Sequence, residues 1–140
     1  MTANSMEKKL AHLQMIQGVV NRLSNNSFLL KGWSVVLVSA LFALAAGGSQ
    51  MYFVYLAYLP AVAFWVLDGY FLHQERLFRK LYDYVRGLDE NAIDFSMNTA
   101  IVKDQVDSWF KVTVSLTLRI FHGTVIGAII IVSIIVSINI

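Results

Sequence analysis

The sequence predicts an all-α fold: a helical integral membrane protein with three transmembrane helices and cytoplasmic helical extensions. Three observations carry this. Gly32 to Ala46 and Met51 to Leu67 hold no charged residue, and only Gly47-Gly48-Ser49-Gln50 lies between them. A third run, Thr124 to Ile140, is 17 residues of nearly unbroken Ile and Val. Overall composition agrees: 57% of the 140 residues are hydrophobic, mean hydropathy is +0.61, and proline occurs once. A soluble domain of this size is rarely so apolar.

A hydrocarbon layer ~30 Å thick is crossed by about 20 apolar residues in a helix. Residues 28–46 meet that length with Lys31 near one end, and residues 51–72 meet it with Asp68 near the other. Lipid offers the backbone no outside partner, so two such runs joined by a short turn form a helical hairpin. Charge sets its direction. All eleven Lys and Arg lie outside the interval from Gly32 to Glu75. The positive-inside rule puts both hairpin ends in the cytoplasm and the glycine turn outside. Residues 1–27 are polar and show no cleavable signal peptide. The expected location is a bacterial inner membrane, N-terminus cytoplasmic and C-terminus periplasmic.

Residues 6–26 read as a cytoplasmic amphipathic helix. Met6, Leu10, Leu13, Ile16, Val19, Val20 and Leu23 fall at helical spacing. Ser5 is its expected N-cap, and Gly18 weakens it by ~1 kcal/mol relative to alanine. Its apolar face either packs on the protein's own cytoplasmic part or lies on the membrane surface, with little electrostatic support from two lysines. The polar segment Asn21–Ser27 is either a loop or the continuation of one helix into lipid. Lys31 and Trp33 suit a snorkelling amine and an interfacial indole.

Tyr52, Tyr55 and Tyr58 form an outer aromatic belt, Pro60 is expected to kink the second span, and Trp65, Tyr70 and Phe71 mark its inner boundary. Lys31, Asp68 and Arg76 are the candidates for a buried ion pair. Asp68 is either an end-of-span acid paired with Lys31 or Arg76, or a functional group in its own right, as ionisable residues at that depth often are. The helix continues through residues 73–87, where Leu77, Leu81 and Tyr84 repeat, Glu75 faces Arg79, and Gly87 is the expected C-cap. Arg76, Arg79, Lys80 and Arg86 make it a candidate partner surface. Residues 88–107, acidic at Asp89, Glu90 and Asp94, read as a loop.

Residues 108–140 are expected to form one long helix carrying the third span. Val112 to Leu118 alternates like a strand, but an open strand edge entering lipid is forbidden. On a single helix Lys111, Ser115, Arg119 and His122 form one polar stripe at i, i+4, i+8 and i+11. That stripe is the candidate pore lining or subunit interface. Its plainer reading is an interfacial Arg119 that snorkels to the cytoplasmic side, with His122 one turn deeper.

No catalytic constellation is evident. His12, His73 and His122 have no metal-ligand spacing, no phosphate loop or nucleophile elbow occurs, and the chain has no cysteine for thiol chemistry, disulfides or zinc. No enzyme activity, metal or cofactor is expected.

Two stretches carry a resemblance. One is Ile16–Trp33, with Asn21-Arg22 and Asn26-Ser27-Phe28-Leu29-Leu30-Lys31-Gly32-Trp33. The other is Phe64–Arg86, with Trp65-Val66-Leu67-Asp68-Gly69-Tyr70-Phe71-Leu72 and Gln74-Glu75-Arg76-Leu77-Phe78-Arg79-Lys80-Leu81-Tyr82. Together they resemble small bacterial multi-span membrane proteins and the accessory membrane proteins of type VI CRISPR and related phage-defence systems. The resemblance implies ring-like homo-oligomers that perforate or depolarise the inner membrane on infection. Some of those proteins carry a nuclease-like Arg…His motif with four to six residues between. Here Arg119 and His122 are separated by two, so no RNA cleavage is expected.

The expectation is thus an oligomeric pore or membrane-perturbing effector in phage defence, with the lipid bilayer and other copies of the chain as partners. The alternative is a scaffold that tethers a soluble defence protein through the Arg76–Arg86 helix. Nucleic acid is not an expected partner. About 45 residues of cytoplasmic helix are too few for an independent core, so these helices pack on each other, on the cytoplasmic end of the third helix or on neighbouring subunits, and a homo-oligomer is the economical solution.

Overall fold

A computed structural model describes residues 3–47 and 52–138. The glycine turn beyond Gly47, Met51 and the last two residues lie outside the described residues. Five α-helices follow in order: α1 (Ala3–Ala46), α2 (Tyr52–Leu56), α3 (Tyr58–Gly87), α4 (Trp109–Thr113) and α5 (Leu116–Ile138). Three helical stretches are long and apolar enough to cross a membrane: α1, α2 with α3, and α5. Of their most apolar windows only 11%, 28% and 17% is buried inside the chain. Exposed apolar flanks of that extent suit a membrane location rather than water.

α1 is a single helix of 44 residues, so it spans about 66 Å at 1.5 Å per residue. It runs straight through Asn21–Ser27, which settles the choice between loop and helix. Polar side chains there are engaged sideways. Gln17 donates to Asn21 at 3.0 Å, and Ser27 turns toward α3. Ser5 is not an N-cap. It lies inside the helix, largely buried, and its hydroxyl donates to Glu90 at 3.0 Å.

Pro60 acts earlier than a mid-span kink. A proline lacks the N–H that would bond the carbonyl four residues back, and its ring crowds that carbonyl. The residue four back is Leu56, where α2 ends; Ala57 turns and α3 begins at Tyr58. Beyond the break the chain leans on α5, with Tyr55 Oη 3.0 Å from Ser137 Oγ. At the other end Gly87 is the last helical residue. Leu88 adopts extended backbone and bonds its N–H to the Val85 carbonyl, so no left-handed glycine cap forms.

Residues 88–107 are more ordered than a loop. Two 3-10 turns, Glu90–Ala92 and Thr99–Gln105, are capped by Asp89 and Asn98 side chains that accept from Asn91 and Ala100 amides. They complete a core that two helices alone lack. Ile16, Leu81, Val85 and Val102 are buried together, with Leu13, Phe78, Tyr82, Ile93 and Met97 packed around them. His12, 1% exposed, donates to the Ser96 carbonyl at 3.0 Å and pins the segment to α1. Of the packing partners open to the two helices, the structure shows each other and this segment, which covers Ile16, Leu81 and Val85 and leaves Met6 and Leu10 exposed. A second core, Val38, Ala57, Ala61 and Ile129, joins the three long apolar stretches.

The expected long helix over residues 108–140 divides. α4 ends at Thr113, Val114 and Ser115 turn, and α5 begins at Leu116. Val112 to Thr117 is rich in β-branched and hydroxyl side chains, which are weak in helix interiors. The turn lets Thr113 press against Gly69. A Cβ there would come within 2.8 Å of Thr113 Cβ and 2.9 Å of Cγ2, and closer still to Oγ1. Only glycine allows α3 and α4 to approach so closely.

Candidate functional site

Between the two apolar cores lies a layer of four polar side chains drawn from all three long stretches. α1 supplies Ser27 and Lys31, which share a face at i,i+4. α3 supplies Asp68 and α5 supplies His122. Asp68 is fully buried and accepts three donors. The Ser27 hydroxyl donates to Oδ1, the Lys31 ammonium lies 2.6 Å from Oδ2, and His122 Nε2 lies 2.8 Å from the same oxygen. Lys31 also donates to Ser27 Oγ at 2.8 Å, closing the ring. An ionised carboxylate only accepts, so His122 Nε2 carries the hydrogen. His122 Nδ1 is buried with no partner among the described residues.

Aromatic groups wall this layer. Trp65 stacks on His122, with centroids 5.7 Å apart and planes 10° from parallel, and its indole N–H donates to the Thr113 carbonyl at 2.8 Å. Phe121 lies under the Lys31 ammonium at 6.0 Å. A cation, an anion and a closed set of hydrogen bonds inside an aromatic wall hold three helices at a fixed depth. Charges removed from water persist only with such pairing.

Of the ion-pair candidates, Lys31 and Asp68 thus meet, and Arg76 does not join them. Arg76 lines a cleft of about 220 Å³ with Arg79, Lys80, Gln105, Val106 and Asp107. Arg79 pairs with Glu75 at 2.7 Å, and Arg86, farther along, pairs with Asp83 at 3.4 Å. Asp107 accepts from Lys111 at 2.8 Å; that hydrogen bond and the adjacent charge hold its carboxyl below the usual range.

The four-residue stripe does not survive the break between α4 and α5. Lys111 is exposed on Asp107, and the Ser115 hydroxyl is buried with no partner among the described residues. His122 faces inward with Leu118, Ile129 and Ser133. Arg119 is exposed; its backbone N–H donates to the Ser115 carbonyl at 2.9 Å, and its side chain forms no hydrogen bond or ion pair among the described residues. Gly123 and Gly127 follow it at steps of four, and a Cβ added at either would meet nothing within 4 Å. This open notch on an apolar helix has the Gly-x-x-x-Gly spacing by which membrane helices approach one another. The spacing is visible in the sequence; it goes unread when attention follows polar residues alone.

Nothing in the described residues groups three His, Asp or Glu side chains as a metal site would require. Comparison with protein families, curated proteins and solved structures finds no match to the chain.

Proposed function

We propose that the chain is a three-span protein of a bacterial inner membrane that self-associates through α5 and acts as a pore or membrane-perturbing effector. The observation that carries this reading is the α5 face on which Arg119 precedes the uncovered Gly123–Gly127 notch. A notch of this spacing admits the backbone of a second helix, and no helix among the described residues fills it. Closed homo-oligomers are the common outcome of such surfaces. Assembly around this face would bring Arg119 of each copy toward a shared passage, where water or a neighbour satisfies it.

The orientation follows the charges: Lys and Arg crowd residues 8–31 and 76–119, which places those segments in the cytoplasm. The likeness of Ile16–Trp33 and Phe64–Arg86 to phage-defence accessory proteins supports a defence role. The experiment is dye and ion release from liposomes. The parent chain is expected to leak, and Arg119→Leu to leak several-fold less at equal incorporation. Tight liposomes with the parent would refute the reading.

A scaffold role is the second reading, favoured by the folded cytoplasmic head around Ile16, Leu81, Val85 and Val102. Such a head is a surface that a soluble protein can recognise. Retention of that protein on membranes by the parent, with no leakage, would select it.

A further inference from the structure

The cleft beside α3 has a charge that the chain itself leaves unbalanced. Three cations line it: Arg76, Arg79 and Lys80. Glu75 already neutralises Arg79 at 2.7 Å, and the cleft's only acid, Asp107, is held by Lys111 at 2.8 Å. Arg76 and Lys80 have no carboxylate within 4.0 Å among the described residues. Arg76 and Lys80 therefore face an opening of about 220 Å³ in which Asp107, already bonded to Lys111 and also within reach of the Arg76 charge, is the one acid among the described lining residues, so the cleft keeps a net positive charge.

The depth of the cleft is fixed independently. α4 is moored where Thr113 meets Gly69, one residue from the Asp68 layer. One turn outward from that contact, Trp109 and Phe110 are 40% and 69% exposed, two and three residues after the Asp107 that lines the cleft. Exposed aromatic rings belong at the level of lipid headgroups. The helix rise agrees. With the inner edge of hydrocarbon at Leu72, Arg76 stands about 6 Å and Lys80 about 12 Å beyond it. Headgroups fill that layer. A guanidinium offers a planar fork of donors matched to phosphate oxygens, and a nearby ammonium adds a point charge.

We infer that this cleft takes the phosphate of an anionic phospholipid headgroup, with Arg76 and Lys80 as its ligands and Trp109 and Phe110 beside the acyl chains. The inference rests on the membrane reading above and names the ligand of the basic surface on α3.

The test is native mass spectrometry of the full chain released from nanodiscs of mixed phosphatidylglycerol and phosphatidylcholine. The parent is expected to retain phosphatidylglycerol preferentially, and Arg76→Gln with Lys80→Gln to lose about tenfold of that preference. Arg86→Gln, outside the cleft, keeps it, and the exchange Arg76→Lys with Lys80→Arg keeps most of it. Equal retention of the two lipids by the parent overturns the inference. So does unchanged retention in the double glutamine variant, which would return the surface to a protein partner. Displacement of the lipid by millimolar inorganic phosphate also overturns it, in favour of a soluble small anion. Alkaline extraction of the same membranes separates the two levels: release of the parent chain sinks the membrane reading, whereas firm insertion without lipid preference sinks only this inference.

Discussion

Replacing Asp68 with alanine is the sharpest perturbation of the polar layer. It removes the acceptor for Ser27, Lys31 and His122 at once. Hydrogen bonds to charged groups contribute about 1.5–3 kcal/mol each. Not all of that is lost. Lys31 keeps 23% of its side chain exposed and can swing toward headgroups. His122, 1% exposed, has no second acceptor, and its Nε2–H is left dry. The expected loss is about 3–5 kcal/mol, the range for removing one partner of a buried ion pair. Lys31→Met should lose less, because Ser27 and His122 remain to donate to the carboxylate. The sign of the combination decides the argument. Adding Lys31→Met to Asp68→Ala removes the ammonium beside the vacated position and should recover that part of the loss which Lys31 does not relieve by swinging outward. The assay is denaturant unfolding in mild detergent, followed by the fluorescence of Trp65, which stacks on His122. An Asp68→Ala chain within about 1 kcal/mol of the parent would refute the reasoning. A double variant weaker than Asp68→Ala would refute it too.

Gly69→Ala forces Thr113 outward and should cost about 1–3 kcal/mol, as overpacking does; Thr113→Ala in the same chain should restore most of it in the same unfolding assay. Leu81→Ala opens the core around Ile16, Val85 and Val102 and is expected to cost about 2–5 kcal/mol, with faster proteolysis of residues 88–105 as the direct readout. A reporter active only outside the cytoplasm should be active after Gly48 or Ile140 and silent after Gly87; activity at Gly87 would invert the topology.

The apolar stretches were legible because helices long and apolar enough to cross a membrane announce themselves by length and absence of charge, both local properties. Lys31 and Asp68 stood out for the same reason: each is a charge near the end of an otherwise uncharged run. What the sequence concealed depends on contacts between distant residues. His122 meets Asp68 across 54 positions, and no periodicity within α5 points to that acid. The stripe from Lys111 to His122 assumed one continuous helix; the strand-like alternation of Val112–Leu118 was in fact the sign of a weak helix, and the turn at Val114–Ser115 follows it. Arg76 was grouped with Asp68 by sequence proximity, yet eight helical residues carry it about 12 Å along the axis. The head core escaped because residues 88–107 look polar and irregular, while Ile93, Met97 and Val102 are spaced by 3-10 turns that no helix or strand template matches.

The central claim is that α5 joins copies of this chain through its open glycine face. The most direct measurement is the mass of the assembled protein, by native mass spectrometry across several mild detergents, for the parent and for Gly123→Leu with Gly127→Leu. A Cβ added at either position meets nothing within 4 Å among the described residues, so the leucine side chains start into open space, and unchanged helix content checks that the chain's own packing holds. The account predicts one closed oligomer for the parent and monomers or disordered mixtures for the variant, at unchanged helix content. A monomeric parent, or a variant that keeps the parent's oligomer, would contradict it.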